Sequence, residues 1–235
     1  MQRFTKPECQ TCPHRNNPLL SCCSPEELEF VNENKIAQYY QKGQVIYQEG
    51  NQPLGLYCVH QGKIKLSKAA GDNKEQIVHL LREGEVVGYR ALVAGTSYTH
   101  SAVALEDCVV CFVPRPDFLR LLYANHQFSI ALMQLLAHSL GIAESRMLNL
   151  AYKPVRERLA AALLLVQQTF YQEGDTLPFR IALGREDLAS LVGTAKETVS
   201  RLLSEFKDTG MIATRGSQIT ILKPTRLLEI ATMYD

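Results

Sequence analysis

The chain has no apolar run long enough to cross a bilayer. Its longest strongly apolar stretch, Leu159–Val166, is short and flanked by charge, so no membrane span or membrane partner is expected. The N-terminus is polar and contains cysteine, unlike a secretory signal. A cytoplasmic protein is therefore expected. Strong charge of one sign is also missing: 25 Lys and Arg stand against 24 Asp and Glu. No global basic field exists to attract polyanions at large. No internal repeat or low-complexity segment is evident. A Ser-His-Asp order, a phosphate-binding glycine loop and paired catalytic carboxylates are absent too, so the chain does not read as an enzyme.

Cysteine, by contrast, is plentiful. Seven cysteines in a reducing compartment point to metal binding or redox chemistry more than to a disulfide framework. Four of them fall in residues 1–24, as Cys9-Gln-Thr-Cys12 and Cys22-Cys23. Pro7, Pro13, Pro18 and Pro25 prevent long regular structure there. Ser24 is then placed to cap a helix over Pro25–Asn34, with Glu27 as its capping-box partner.

Between Ala37 and Val113 short runs rich in Val, Ile, Tyr and Leu alternate with glycine turns. Residues 42–50, 54–66, 75–81 and 101–113 read as strands, which suggests an antiparallel β-barrel or jelly roll. Cys58 lies in such a strand and is expected in the core. Cys108 and Cys111 are three apart on one strand and so point to opposite faces. His60, His79, His126 and His138 are scattered, and surface or satisfied core roles are expected for them.

Helical texture follows. Residues 116–124 begin it, and Gln127–Leu150 reads as one long helix. Met133, Leu136, Leu140, Ala143, Met147 and Leu150 alternate spacings of three and four, a coiled-coil seam. Leu132 and Leu135 widen that surface. A homodimer through this helix is expected. Lys153-Pro154 ends it, Val155–Tyr171 is another helix, and Gly174–Leu177 is a loop.

The stretch Arg185–Ile221 carries the clearest signal. Arg185–Leu191 reads as a helix with an acidic first turn, and Gly193 supplies a left-handed turn. Thr194 is expected to cap a second helix, with Glu197 as box partner. Val199, Leu202, Leu203 and Phe206 recur at helical spacing and face inward. Lys196, Glu197, Ser200 and Arg201 fall on the opposite face in its first turns. A two-stranded wing follows, Gly210–Ile212 then Gly216–Ile221. This is a helix-turn-helix layout, in which the second helix reaches base edges of double-stranded DNA. Arg can bond bidentately to guanine, Glu can accept from cytosine, and Ser is a permissive reader. Between Arg180 and Arg226 eight basic residues face five acidic ones, which suits a focused DNA contact.

With these elements in order, the chain resembles the Crp/Fnr family of transcription regulators. The resemblance implies an α+β chain with a cyclic-nucleotide-binding-type barrel, a long dimerisation helix and a winged helix-turn-helix. The expected boundaries are a cysteine-rich segment over 1–24, the barrel over 25–126, the dimer helix over 127–152 and the DNA-binding domain over 153–235. Glu197-Thr198-Val199-Ser200-Arg201 is similar to the family's recognition pattern, and closer to the oxygen-sensing fumarate-nitrate branch than to the cyclic-AMP branch. By resemblance, Arg201 reads guanine and Glu197 a cytosine of a TGA-like half-site in a palindrome, and RNA polymerase is a partner. Gly88-Tyr89 and His100-Ser101 stand where the cyclic-AMP branch holds ribose and phosphate, so no cyclic-AMP response is expected.

The oxygen-sensing branch holds a [4Fe–4S] cluster on three N-terminal cysteines and one from the barrel. Cys9 and Cys12 resemble the first pair, and Cys111-Phe-Val-Pro114 resembles the barrel cysteine's context. Pro18 stands at the third position, so Cys22 or Cys23 has to substitute. Three readings stay open for these thiols: a cluster, a tetrahedral Zn²⁺ with His14 as a further ligand, or a metal-free thiol pair that oxidises reversibly. Alternatives for the whole chain are a regulator controlled by an unknown ligand in the barrel, a thiol redox protein, and a nucleotide-binding module joined to a protein-interaction helix pair.

Overall fold

The computed structural model describes residues 6–72, 74–171, 180–181, 183–216 and 218–233. The expected loop at 174–177 lies outside them. The chain divides into two compact units, residues 1–68 with 81–142 and residues 69–80 with 143–235.

Helix α1 (Pro25–Asn34) opens as expected. Ser24 Oγ accepts from the Glu27 N–H at 3.2 Å, and Glu27 Oε2 accepts from the Ser24 N–H at 2.8 Å. Leu28 and Val31 are its buried face. The strands follow as β1 (Ile36–Tyr40), β2 (Val45–Tyr47), β3 (Gly55–Gln61), β4 (Ile64–Ala69), β5 (Glu75–Leu81) and β6 (Val86–Val87). A short helix α2 (Tyr89–Ala94) precedes β7 (Ser101–Ala104) and β8 (Cys108–Pro114). Two four-stranded sheets result, in the orders β1-β8-β3-β6 and β2-β7-β4-β5. This is the jelly-roll arrangement read from the glycine-punctuated strands. Gly62 shows why glycine is needed at one of those turns. Its φ is +94°, and a Cβ there would lie 2.7 Å from Cys108 Sγ.

In β3 and β8 the antiparallel register sets Leu56 opposite Val113, Tyr57 opposite Phe112 and Cys58 opposite Cys111. Helices α3 (Arg115–Ala124) and α4 (His126–Tyr152) come next. Phe118, Leu121, Phe128 and Leu132 bury one continuous core with Leu28, Val31, Leu56 and Val113. Cys9 and Leu19 join the same core, and Leu19 is fully buried. The N-terminal segment is thus packed structure. Burying a leucine of this kind contributes about 1.5–3 kcal/mol, one of several contacts that hold this irregular segment in place.

Helix α4 extends two residues beyond the expected end, to Tyr152, and Lys153-Pro154 stops it. Along it Met133, Leu140 and Met147, seven residues apart, are 58%, 61% and 63% exposed. Ala143 and Leu150 are exposed with them, whereas Leu136 is half-buried against the core. No helix among the described residues is long and apolar enough to cross a membrane. The apolar run Leu159–Val166 lies inside α5 (Val155–Phe170), where Leu159, Ala160, Leu163, Val166 and Phe170 are buried.

In the second unit, α6 (Arg185–Val192) and α7 (Lys196–Asp208) are joined at Gly193, whose φ is +71°. Strands β10 (Ile212–Arg215) and β11 (Gln218–Ile221) form the expected hairpin. β9 (Arg180–Ile181) adds a third strand, in the order β10-β11-β9, and α8 (Pro224–Ala231) closes the unit. The two-residue β9 is too short to carry a pattern of its own, whereas the final helix, with proline in its first turn and an amphipathic face, is an element that the sequence reading omits.

Candidate functional site

Helix α7 is held by one face. Val199, Leu202, Leu203 and Phe206 are buried, and Phe206 is fully so. Their spacing leaves Lys196, Glu197 and Arg201 exposed and Ser200 half-exposed on the other side. Arg201 makes no side-chain hydrogen bond or ion pair among the described residues, so its guanidinium is free to take a bidentate partner. Lys196 pairs with Glu186 at the surface.

The start of α7 differs from the expectation. Its N-cap is Ala195, with no side-chain cap hydrogen bond, so Thr194 is not the cap and Glu197 is not its box partner. The physical reason is the preceding turn. Both the Gly193 and Thr194 N–H groups donate back to Ala189 O, at 2.8 and 3.1 Å. Thr194 therefore belongs to the closure of α6, a left-handed glycine C-cap, and α7 begins one residue later.

Two contacts support this unit. Arg156 on α5 pairs with Glu205 at 2.7 Å and lies 5.6 Å from the Phe206 ring centre. Arg185 Nη1 donates to Gly216 O at 3.0 Å, tying the first helix to the wing turn. Arg185 was read from the sequence only as a helix start.

The thiols form a second constellation. Cys9, Cys12, Cys58 and Cys111 line one cavity of about 40 Å³, together with His14, His60 and Lys35. Cys58, expected in the core, packs against the core and also lines this cavity. Cys22 and Cys23 do not line it. Their Sγ atoms donate to Pro18 O at 2.8 Å and Leu19 O at 3.7 Å. Cys108 points away from Cys111, as strand alternation requires, and its Sγ donates to the carbonyls of Lys63 and Glu106.

Burial raises the thiol pKa of Cys9, Cys58 and Cys111, that of Cys111 to about 11. Lys35 works against that rise at all three. Its Nζ donates to Cys9 Sγ at 3.1 Å and to Asn32 Oδ1. Lys35 is itself buried, at 3% exposure. Cys23 is pushed up to about 12 by burial, then by Glu27. His60 Nδ1 lies 3.7 Å from Cys12 Sγ, and burial followed by the neighbouring His14 lowers its pKa. His60 and Lys35 carried no distinguishing signal in the sequence. The register that sets Cys58 beside Cys111 could have been sought by pairing the two cysteine-bearing strands.

A thiolate-bound metal or cluster is implied by the family resemblance. Four thiols lining one cavity beside a buried ammonium suit such a group in number, softness and charge. Among the described residues, no three His, Cys, Asp or Glu side chains converge closely enough to hold an ion as they stand. Cys9 is engaged by Lys35 and Cys12 faces His60.

At the positions matching a nucleotide pocket, barrel side chains engage one another. His100 Nε2 lies 3.0 Å from Tyr47 Oη, and Tyr47 stacks on Tyr98 with ring centres 3.9 Å apart. Burial, then Arg90, pushes the His100 pKa down to about 4, so the ring is neutral near pH 7. Tyr89 is buried and its hydroxyl pairs with Ser139 Oγ at 2.9 Å.

A barrel of this topology followed by a long helix and a winged helix-turn-helix defines a class, the DNA-binding transcription regulators. Comparison narrows it. Residues 37–125 match the cyclic nucleotide-binding domain and residues 157–230 the Crp-like helix-turn-helix domain. The chain is 30% identical over 207 residues to the fumarate and nitrate reduction regulatory proteins of Vibrio cholerae serotype O1 and Escherichia coli strain K12, covering 88% of this chain and 82% of each relative. FixK2 from Bradyrhizobium japonicum has a similar structure, with TM-score 0.74 and 29% identity, covering 83% of this chain and 96% of that one. The chain belongs to the Crp/Fnr family of transcription regulators, which are not enzymes.

Proposed function

We propose that this regulator works as a homodimer on a palindromic, TGA-like DNA site and takes its signal through the thiol cavity. The observation that carries the DNA reading is the free, exposed Arg201 on a helix anchored by Phe206. Arg201 and Glu197 read the half-site, and Lys196, Ser200 and Thr194 contact its bases or phosphates. The exposed seam Met133, Leu140, Ala143, Met147 and Leu150, with Leu136 at its inner edge, supports dimerisation through α4. RNA polymerase is the partner expected from the family.

The input is a thiolate-bound metal, an Fe–S cluster or Zn²⁺, held by Cys9, Cys12 and Cys111 with a fourth thiol. Such a group supplies sensitivity to oxidants or to metal supply when bound. The chain's own residues connect that region to the dimer helix. Asn125 Oδ1 accepts the Phe128 N–H at 3.0 Å in the first turn of α4, while its Nδ2 donates to Cys22 O and Glu27 Oε2. A shift of the cysteine segment therefore pulls on the first turn of α4. The uncharged His100 ring, engaged by Tyr47 Oη, supports a regulator that does not answer to cyclic AMP.

Selection of binding sites from random DNA, with protein purified without oxygen, tests this reading. A recovered palindrome with TGA-like arms is expected. Leu140→Glu should give a monomer in sedimentation and lose affinity for the selected site. Recovery of no palindrome, or a dimeric Leu140→Glu protein that binds as wild type, would refute it. Metal and sulfide analysis of the same preparation tests the input.

A further inference from the structure

We infer that Cys58 supplies the fourth thiol of the signal site, so that Cys9, Cys12, Cys58 and Cys111 bind a thiophilic metal centre with Lys35 as its buried counter-charge. The inference rests on the proposed metal-sensing role and assigns the ligand set that role leaves open.

Three independent placements carry it. The first is the cavity itself, which Cys58 lines with Cys9, Cys12 and Cys111 while Cys22 and Cys23 do not. Cys22 and Cys23 instead spend their S–H groups on local carbonyls, Pro18 O and Leu19 O. Bringing either into the cavity would require unwinding a segment anchored by the fully buried Leu19.

The second is the strand register. Cys58 sits directly opposite Cys111. Val59 donates its N–H to Glu85 O and accepts from the Gly84 N–H, so both its backbone groups face away from β8. By strand alternation those of Cys58 face β8, which makes Cys58 and Cys111 a hydrogen-bonded pair. Their Cα atoms then stand about 5.5 Å apart. A disulfide needs Cβ atoms about 3.5–4.5 Å apart, and the closer, non-hydrogen-bonded pair would suit it better. Two parallel thiols on one sheet face suit a shared metal, whose ligating sulfurs need approach only to about 3.8 Å at Zn–S bonds of about 2.3 Å.

The third is charge. Lys35 is buried, and among the described residues no carboxylate lies within ion-pair distance of it. Its ammonium meets Cys9 Sγ and Asn32 Oδ1, both neutral when the thiol is protonated, and the carboxylate that lines the cavity, Glu8, is joined to it through Asn32, whose Nδ2 donates to Glu8 Oε2. A buried cation of this kind calls for an anion close by. Four thiolates on a divalent ion, or on a cluster, carry net negative charge and supply it. Lys6 donates to Asn32 O at 2.8 Å and adds to the positive side of the cavity.

The test uses the full chain, stripped with chelator under reductant and without oxygen. It is reloaded in two arms, Zn²⁺ alone and Fe²⁺ with sulfide, which separate a single ion from a cluster. Wild type is compared with Cys58→Ser, Cys58→Ala and the double variant Cys22→Ser/Cys23→Ser. Metal and sulfide per chain are measured, and iodoacetamide protection is mapped for every cysteine. Circular dichroism melting identifies any variant that fails to fold, and the alkylation map of wild type stands without any variant.

Expected is metal in wild type and the double variant alike, with Cys9, Cys12, Cys58 and Cys111 protected in one arm. Folded Cys58 variants should lose at least tenfold in metal affinity. Metal retained by the Cys58 variants but lost from the double variant would overturn the assignment and leave the sensing role standing. Cys58 alkylated at full rate in metal-loaded wild type would do the same. No metal in either arm of wild type would remove the sensing role and the assignment with it.

Discussion

The recognition helix and the thiol cavity are built in opposite ways. Helix α7 is local: the buried Val199, Leu202, Leu203 and Phe206 lie within eight residues of one another and also fix which side chains face out. The thiol cavity is non-local. Its lining comes from the N-terminal segment, from α1 and the residue after it, from β3 and β8, and from β6 with the Gly84 turn before it. A local element carries its geometry in its own periodicity. A non-local site exists only when several elements have docked, and it is correspondingly easy to move. The contrast suits the roles proposed above, a reader that stays constant and a sensor that changes.

The sharpest way to break the comparison is to remove the anchor of each region. Phe206→Ala empties a fully buried aromatic site and should cost about 3–5 kcal/mol. Chemical denaturation followed in the DNA-binding unit should show it, and specific DNA binding should fall with the folded fraction. Leu19→Ala should cost about 2–5 kcal/mol by the same mechanism, but its readout differs. Loss of Leu19 should release the cysteine segment, so that Cys9, now 8% exposed, reacts faster with iodoacetamide. If Cys9 stays protected in the folded Leu19→Ala protein, the segment is held by its polar bonds to Asn32 and Lys35 instead.

What could be read in the sequence follows the same division. The Ser24–Glu27 box, the Gly193 turn and the inward face of α7 depend on neighbours within one or two turns, and each is where its spacing placed it; on α4 the same spacing leaves Met133, Leu140 and Met147 exposed but Leu136 half-buried. The Thr194 cap failed because two motifs overlap there. The turn that ends α6 uses the Thr194 N–H first. Nothing beside Cys58 and His60 in the chain marks them out. Their significance comes from the pairing of β3 with β8 and from the docking of residues 6–24, which are decided by burial of a shared core. Lys35 was invisible for the same reason, since a lysine just after a helix is ordinarily solvated.

A finer probe leaves both regions folded. Arg201→Ala removes an exposed side chain with no partner among the described residues, so the melting temperature should stay unchanged. Specific binding should weaken by about 1–3 kcal/mol, with preference relaxed at one base pair of each half-site. A gel-shift titration against a panel of single-base variants checks both. Equal loss on every sequence would make Arg201 a phosphate contact, and the reading of bases would then rest on Glu197 and Ser200.

The smallest expected effect distinguishes local from non-local energy at one spot. Ser24→Ala removes a cap that serves α1 alone and should cost about 1 kcal/mol. Glu27→Ala removes the other half of the same box, but Glu27 Oε2 also accepts from Asn125 Nδ2 at 2.8 Å, and Asn125 holds the first turn of α4. If the box were only a helix cap, the two substitutions would cost the same. If Glu27 also ties the cysteine segment to the dimer helix, its loss should cost more than that of Ser24. Asn125→Ala should then remove most of the difference, because contacts in one network are not additive. Three single variants and the Glu27→Ala/Asn125→Ala double variant, compared by urea denaturation, decide it. A coupling near zero between Glu27 and Asn125 would remove Glu27 from the link between the cysteine segment and α4, which would then rest on the Asn125–Cys22 bond and on the core that Leu19 shares with Phe128 and Leu132.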